Sequence, residues 1–375
     1  METPSPLPPA LLVGLLREAA AIPGGAPDVL IRLARALHGI GDTPGAIVEL
    51  NRFVAIQGDN VDAFRLLASL HLEIDDHEAA LHASQRGGAS ATVLQARALM
   101  GLDRNDEAEH LLRRILEEAV NPLAFERLSR LLARQGRGGE LIALCEARGG
   151  QPGCATIGLA FRALALSLVG RDEEAVRIVD PQRHVKQVRF APPDDAGKGD
   201  RFNTELAAQI LRQPRPSVRD GLSIAYEPDL TRVPHLGALH LFLQREMERY
   251  VAELPERGLD GVMPLPPLRA RLHSGSTVLI GEGRHGEHFH PRGYVSCVYH
   301  VSVPQALSSA EDPRGALMIG SCDSLGGHSL PWQMRQIRPE AGVLTIFPAH
   351  FFHDVVPTGL VEPRISVAGD MEPVA

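Results

Sequence analysis

The stretch GEGRHGEHFHPRGYVSCVYHV, residues 281–301, concentrates side chains that bind metals. In an extended segment side chains alternate with period two, so His288 and His290 share one face while Phe289 points to the other. Two imidazoles at that spacing, with Pro291 ending the strand, can converge on one cation, and nitrogen donors suit iron, zinc or copper. A third donor is needed nearby, and His353 supplies it in FPAHFFHDVVP, at the start of a strand after the Phe347-Pro348 break. Histidine is unevenly used, with eight of the 16 between His273 and His353. A lone histidine is ordinarily a surface or satisfied core residue, and His273, His285, His300, His328 and His350 are read that way.

Arg364 is the only arginine after His353, and no lysine follows Lys198. The residues between read as a hairpin, HDVVPTGLVEPR. A turn on Thr358 and Gly359 would set His353 directly opposite Arg364, with Ser366 on the same face. A metal ligand, a guanidinium and a hydroxyl so aligned suit a ligand that chelates the metal at one end and presents a carboxylate at the other, because guanidinium grips carboxylate through two parallel bonds. Tyr299, on the strand after the metal motif, is a candidate to hydrogen-bond that ligand, against its reading as a core aromatic.

These residues need a scaffold, and composition bounds it. A chain of 375 residues is long enough for two domains, and 44% hydrophobic with 22% charged residues describes a chain that buries a core. The balance of 38 basic against 46 acidic residues, net -8, argues against nucleic-acid or polybasic membrane binding. The four cysteines form no CxxC pair and support neither a disulfide framework nor a zinc ribbon, which fits a reducing cytoplasm. No targeting signal is legible, and no stretch approaches the roughly 20 apolar residues of a membrane span. A cytoplasmic protein without membrane or nucleic-acid partners is expected.

Residues 28–180 read as Ala/Leu-rich helices punctuated by Gly-Asp or Asp-Asp turns that repeat at an offset of 34: Leu33, Ala34, Gly41, Asp42 and Ala46 recur as Leu67, Ala68, Asp75, Asp76 and Ala80. RALMGLDRNDEAEHLLRRIL supplies a unit in a shortened register, and five helical hairpins are expected. The pattern resembles tetratricopeptide repeats, which implies an N-terminal α-helical repeat solenoid with a concave surface for a protein or peptide. Residues 1–27, with six prolines, read as a loose or capping segment, and PQRHVKQVRFAPPDDAGKGD marks a linker at 181–200. In residues 201–375, FNTELAAQILRQ and LGALHLFLQREMERYVAELPE are amphipathic helices. LRARLHSGSTVLIG, YVSCVYHVSVP, GALMIGSC, GVLTIFP, HDVVP and RISVAG are short strands between Gly/Pro turns, the signature of an antiparallel sandwich or barrel braced by those helices. The fold class is multidomain α + β.

The constellation resembles the Fe(II)/2-oxoglutarate-dependent dioxygenases, in particular the bacterial oxygenases with an HxHP segment joined to tetratricopeptide repeats. Over about residues 200–372 the resemblance is carried by HFHP, VSCVYHV, PEAGVLTIFP, His353 and RIS at Arg364. It implies a C-terminal double-stranded β-helix (jelly-roll) domain, with Fe(II) held by His288, His290 and His353. The distal carboxylate of the cosubstrate 2-oxoglutarate would be held by Arg364 and Ser366, with no catalytic side chain beyond the metal site; Tyr299 stays a candidate contact only by its place on the strand after the metal motif. The commonest triad of such enzymes has a carboxylate at the position of His290. Three arrangements stay open: three histidines, two histidines with His290 behind them, or a carboxylate such as Glu287 or Asp354. Alternation turns those two acids to the opposite face and favours three histidines. The expected activity is oxidation, typically hydroxylation, of a protein, peptide or small molecule recruited with help from the repeats, and the primary substrate is not legible. The alternatives are a cupin-like three-histidine metal enzyme that does not use 2-oxoglutarate and a non-catalytic repeat scaffold with a degenerate β domain.

Overall fold

In the computed structural model of the chain, the described residues are 9–191, 199–212, 217–219, 222–226, 234–259, 261–307, 309, 312–325, 327 and 329–374. They form two compact units, residues 1–131 with 214–218, and residues 132–213 with 219–375. No helix among them is long and apolar enough to cross a membrane.

The helices of the repeats are α1 (Pro9–Ala20), α2 (Asp28–Gly39), α3 (Thr43–Gln57), α4 (Val61–Glu73), α5 (His77–Arg86), α6 (Thr92–Gly101), α7 (Asn105–Glu118), α8 (Pro122–Arg134), α9 (Gly138–Arg148), α10 (Ala155–Leu168) and α11 (Asp172–Ile178). From α2 onward they make five helix–turn–helix pairs, and one device builds every turn. A single left-handed residue stops the first helix: Gly41, Asp75, Asp103, Gly136 and Gly170. The next N–H then donates five residues back, Asp42 to Leu37, Asp76 to His71, Arg104 to Leu99, Arg137 to Leu132 and Arg171 to Leu166, at 2.9–3.0 Å. The reversal satisfies a helix-end carbonyl, and glycine or a short polar side chain tolerates it best. The start of the second helix changes along the array. Asp42 and Asp76 cap it, accepting from Gly45 and Ala79, whereas Arg104, Arg137 and Arg171 pair instead with Glu107, Glu140 and Glu174 one turn on. In the first unit Ala34, Ala46 and Ala68 are buried among Leu33, Leu37, Leu50, Phe53 and Leu67, the small residues allowing close helix crossings.

The remaining elements are α12 (Pro181–His184), β1 (Lys186–Arg189), α13 (Gly199–Arg212), β2 (Ser217–Arg219), β3 (Leu222–Tyr226), α14 (Pro234–Ala252), β4 (Ala270–Leu279), β5 (His285–His288), β6 (Val295–Ser302), β7 (Leu317–Ile319), β8 (Arg335–Ile337), β9 (Val343–Pro348), β10 (His353–Val355) and β11 (Arg364–Pro373). They give a large sheet ordered β1-β9-β6-β11-β4-β3-β2 and a small sheet ordered β5-β10-β7-β8. From β1 to β3 in the large sheet, and throughout the small one, neighbouring strands pair antiparallel. Helices α13 and α14 cover one face of the large sheet, where Phe202, Leu206, Leu243, Met247 and Tyr250 pack with Val295, Tyr299, Val301, Ile365 and Val367. Each such side chain contributes roughly 1.5–3 kcal/mol through burial.

Three expectations change. The segment read as a linker at 181–200 begins as structure: Asp180 accepts from the Gln182 and Arg183 amides, Pro181 opens α12 where a missing N–H costs nothing, and KQVR pairs with β9. Elements of four residues leave no periodic signature, so its prolines and charges dominate the reading; residues 192–198 lie outside the described set. The compact units divide at residues 131/132, and α9–α11, expected with the repeats, belong to the β unit. Phe161 of α10 meets the rings of Phe289 and Phe352 edge-on at 5.8 and 5.7 Å, Thr156 donates to the Gly293 carbonyl, and the His350 ring bonds the Ile178 carbonyl.

The hairpin expected between His353 and Arg364 does not form. Strand β10 pairs with β5 and β7, whereas β11 pairs with β4 and β6, so the two residues stand on different sheets. Pro357 and Pro363 cannot donate to a ladder. Left-handed Gly359 turns the chain against Gly281 instead, and the two exchange bonds through Gly359 N–H to Gly281 and Gly281 N–H to Leu360.

Candidate metal centre

Two strand ends of the small sheet bring the three histidines together. His288 closes β5 and has His353 of β10 as its cross-strand partner. His290 follows beyond the strand end, where its N–H donates to Ala349 and its carbonyl accepts from Gly293 in the turn made by Pro291. One ligand atom from each of His288, His290 and His353 lies within 4.8 Å of the others, the group able to hold a metal among the described residues.

Each ring is oriented from behind. Nδ1 lies 2.8 Å from the Gly286 carbonyl in His288, 3.0 Å from the Phe351 carbonyl in His353, and 2.7 Å from the Asp370 carboxylate in His290. Carbonyl and carboxylate oxygens only accept, so Nδ1 carries the proton in each ring and Nε2 keeps a lone pair for a metal. Ser296 fixes Asp370 by donating to its other oxygen at 2.6 Å. The Nε2 atoms of His290 and His353 are 3.2 Å apart with their rings 5° from parallel. Two lone pairs at that distance repel, and a cation between them turns the repulsion into coordination. Burial, reinforced by the neighbouring His288 and His290, holds the pKa of His353 well below the usual histidine range, which keeps it neutral and able to ligate.

Neither acid weighed as a ligand joins the cluster. Glu287 accepts from the Ser321 and Ser324 hydroxyls on the other face of β5. Asp354 faces the same way, its carboxyl pushed above the usual range by burial and then by Glu287. The carboxylate that does take part, Asp370, was not foreseen. Its signal is the period-two run 364, 366, 368, 370 along RISVAGD, which places it on the face of Arg364.

Arg364 and Ser366 line one cavity with all three histidines, together with Thr277, Leu317 and Val355. That cavity lies between the two sheets, so the pair meets the histidines across the sandwich, not along a hairpin. Arg364 is 1% exposed, its Nε and Nη2 have no hydrogen-bond partner, and it has no acidic partner among the described residues. Burial lowers its pKa to about 10. An uncompensated buried cation is costly, and a ligand carboxylate supplies the missing partner. Gly315 makes room for it, since a Cβ there would stand 3.3 Å from Arg364 Cδ and 3.0 Å from Leu307.

Tyr299 is a correction. Its ring lies on the helix-covered face, fully buried, with the hydroxyl donating to Asn203 at 2.7 Å, and it does not reach the cavity. Odd residues of β6 face the helices; the even neighbour, His300, pairs with Ser366 on the other side. The lone histidines also divide. His350 is a satisfied core residue. His285 stacks on His288 at 4.1 Å and lines the cavity, its pKa pushed to about 4 by burial and then by His290 and Arg364. His273 stands at the adjoining mouth, and His328 lies outside the described residues.

Residues 276–370 match the model of the protein family described as "Putative 2OG-Fe(II) oxygenase". The C-terminal unit carries a 2OG-Fe(II) oxygenase domain. The protein is accordingly a 2-oxoglutarate-dependent oxidoreductase whose cofactors are Fe(II) and 2-oxoglutarate, and its three-histidine cluster fits such a metal. Among solved structures, a Pseudomonas putida prolyl-4-hydroxylase is 18% identical over 51% of this chain and 93% of its own, with a TM-score of 0.35. A 2OG-Fe(II) oxygenase family oxidoreductase from Burkholderia pseudomallei is 14% identical over 50% of this chain and 84% of its own, TM-score 0.33. A tetratricopeptide repeat protein from Parabacteroides merdae ATCC 43184 is 18% identical over 45% of this chain and 69% of its own, TM-score 0.39. No curated protein matches the sequence.

Proposed function

We propose that the oxygenase domain hydroxylates a protein, peptide or small-molecule substrate, with His288, His290 and His353 holding Fe(II) and Arg364 with Ser366 holding the distal carboxylate of 2-oxoglutarate. The observation that carries this reading is the coincidence, in one cavity, of three oriented histidines and a buried guanidinium without an acid among the described residues. The two antiparallel sheets around it are read as the halves of a double-stranded β-helix.

When bound, the Fe(II) centre supplies the oxidative chemistry that couples 2-oxoglutarate decarboxylation to substrate oxidation. The protein's own tasks are positional. Asp370 and the Gly286 and Phe351 carbonyls hold the Nδ1 protons, which fixes the ring orientations. Arg364 orients the cosubstrate through its far carboxylate, a charge-assisted contact made outside water. Leu317, Phe347 and Val355 close the cavity walls and keep water from the reacting end. Substrate recruitment is assigned to the helical repeats, whose stacked hairpins are of the kind that offers an extended concave surface.

Anaerobic reconstitution with Fe(II), followed by addition of 2-oxoglutarate and O2, tests the assignment. Stoichiometric iron and slow succinate formation without primary substrate are expected, with stimulation by the correct component of a cell extract. Iron binding with no succinate and no affinity for 2-oxoglutarate would remove the cosubstrate assignment.

A further inference from the structure

The face of the large sheet that carries Arg364 and Ser366 holds a second buried polar group that the metal site does not use, though it is not among the cavity-lining residues themselves. His300 on β6 is fully buried, and neither ring nitrogen has a hydrogen-bond partner among the described residues. A neutral imidazole has one donor and one acceptor to satisfy, so for stability alone a leucine would serve better at such a position. Its cross-strand partner is Ser366, and Arg364 lies two residues further along the same face. Burial and then the charge of Arg364 both hold the imidazole neutral. On the opposite flank β9 pairs Thr345 with Val298, two residues before His300, and Thr345 is likewise fully buried with an unpartnered Oγ1. Three adjacent strands thus turn Arg364, His300 and Thr345 to one face, each unpartnered.

These groups demand a specific chemistry. Arg364 only donates, and a neutral His300 can donate from one nitrogen without adding a second charge beside the guanidinium. A carboxylate, with two oxygens and several lone pairs, accepts from both at once. We propose that His300 donates a further hydrogen bond to the same carboxylate that Arg364 and Ser366 hold, so that it completes a cradle of donors backed by the Thr345 hydroxyl. The proposal rests on Arg364 being the 2-oxoglutarate clamp and makes His300 a determinant of cosubstrate selectivity. A 2-oxo acid of equal length without the distal carboxylate, 2-oxopentanoate, leaves both donors unmatched and is disfavoured for that reason.

The test titrates 2-oxoglutarate into the full-length anaerobic Fe(II) protein, followed by calorimetry and by the metal-to-ligand charge-transfer band. Wild type, Arg364→Leu, His300→Leu and His300→Gln are compared. His300→Leu is expected to retain iron and bind 2-oxoglutarate about 10- to 100-fold more weakly, and His300→Gln, which restores one N–H, to fall between it and wild type. Wild-type affinity in His300→Leu, alongside lost binding in Arg364→Leu, would overturn the role of His300 and leave the clamp standing. No 2-oxoglutarate binding in wild type would overturn both. If the variants do not fold, the wild-type protein loaded with zinc and labelled with 15N-histidine decides: the His300 ring resonances should move on adding 2-oxoglutarate, and an unmoved resonance counts against the proposal.

Discussion

The two faces of the large sheet are built from the same strands yet serve opposite ends. Along β11, Ile365, Val367 and Met371 enter the cluster under α13 and α14, while Arg364, Ser366 and Asp370 face the cavity. Along β6, Val295, Tyr299 and Val301 take the first side, and Ser296 and His300 the second. The helix-covered face is apolar, and the hydroxyl of Tyr299 there is matched by Asn203. The cavity face keeps a guanidinium, an imidazole and a hydroxyl that nothing in the described chain satisfies. A sheet selected only for stability would fill both faces alike, because a buried charge without a partner costs more than an apolar side chain of its size. Unsatisfied burial on one face is therefore a reading of what the protein binds, and substitutions on the two faces should move different observables.

The largest effect is expected at the proposed metal ligands. His353→Ala should abolish Fe(II) retention through dialysis against a chelator, with His288→Ala doing the same, because two remaining imidazoles do not hold a labile divalent ion. His290→Ala separates a ligand from a supporting residue: stoichiometric iron in that variant would move His290 out of the ligand set. One step back from the metal, Asp370→Leu should weaken iron binding by about 10- to 100-fold in a competition assay, the usual size of losing the carboxylate behind a ligating histidine. An unchanged affinity there would mean that the 2.7 Å contact to His290 does not tune the site.

Arg364→Leu sharpens the contrast, because two readouts should move in opposite directions. Affinity for 2-oxoglutarate should fall at least about tenfold as a charge-assisted contact is lost. The cosubstrate-free protein should be as stable as wild type or more so, by up to about 1–4 kcal/mol, since an apolar residue replaces an unpaired buried cation. A protein destabilised by this change in the absence of 2-oxoglutarate would reveal an internal partner for Arg364 and weaken the clamp assignment.

Much of this site is legible in the sequence because its information is local. HFHP places two imidazoles on one face by alternation alone, and the left-handed stops at Gly41 and Asp75 stand at the turn positions that the repeat offset singles out. What is not legible depends on partners far apart in sequence. The hairpin logic that aligned His353 with Arg364 rests on a pairing that does not form, and the two residues line one cavity from different sheets, because whether a short strand continues into its neighbour or crosses to another sheet is settled by contacts such as Gly281 with Gly359 and Leu360. Asp370 escaped notice for the same reason: its partner His290 is 80 residues away. The boundary between the compact units is hidden because α10 is equally helical whether it stacks on another repeat or, through Phe161, on Phe289 and Phe352.

The smallest expected effect gives the closest test of the two-face comparison, since it concerns neighbours. Tyr299→Phe removes one hydroxyl that donates to Asn203 at 2.7 Å within the helix-covered core. The ring and its packing against Phe190 remain. The cost is one buried hydrogen bond, with the Asn203 oxygen left short of a donor, so a loss of about 1 kcal/mol is expected in urea unfolding of the cosubstrate-free protein. Affinity for 2-oxoglutarate should not change, because Tyr299 lies in the helix-covered cluster and not among the residues that line the cavity. His300→Leu should show the reverse profile, weak cosubstrate binding with stability kept. A tenfold loss of 2-oxoglutarate affinity in Tyr299→Phe with unchanged unfolding would mean that the tyrosine reaches the cosubstrate after all, and the assignment of faces along β6 would have to be inverted.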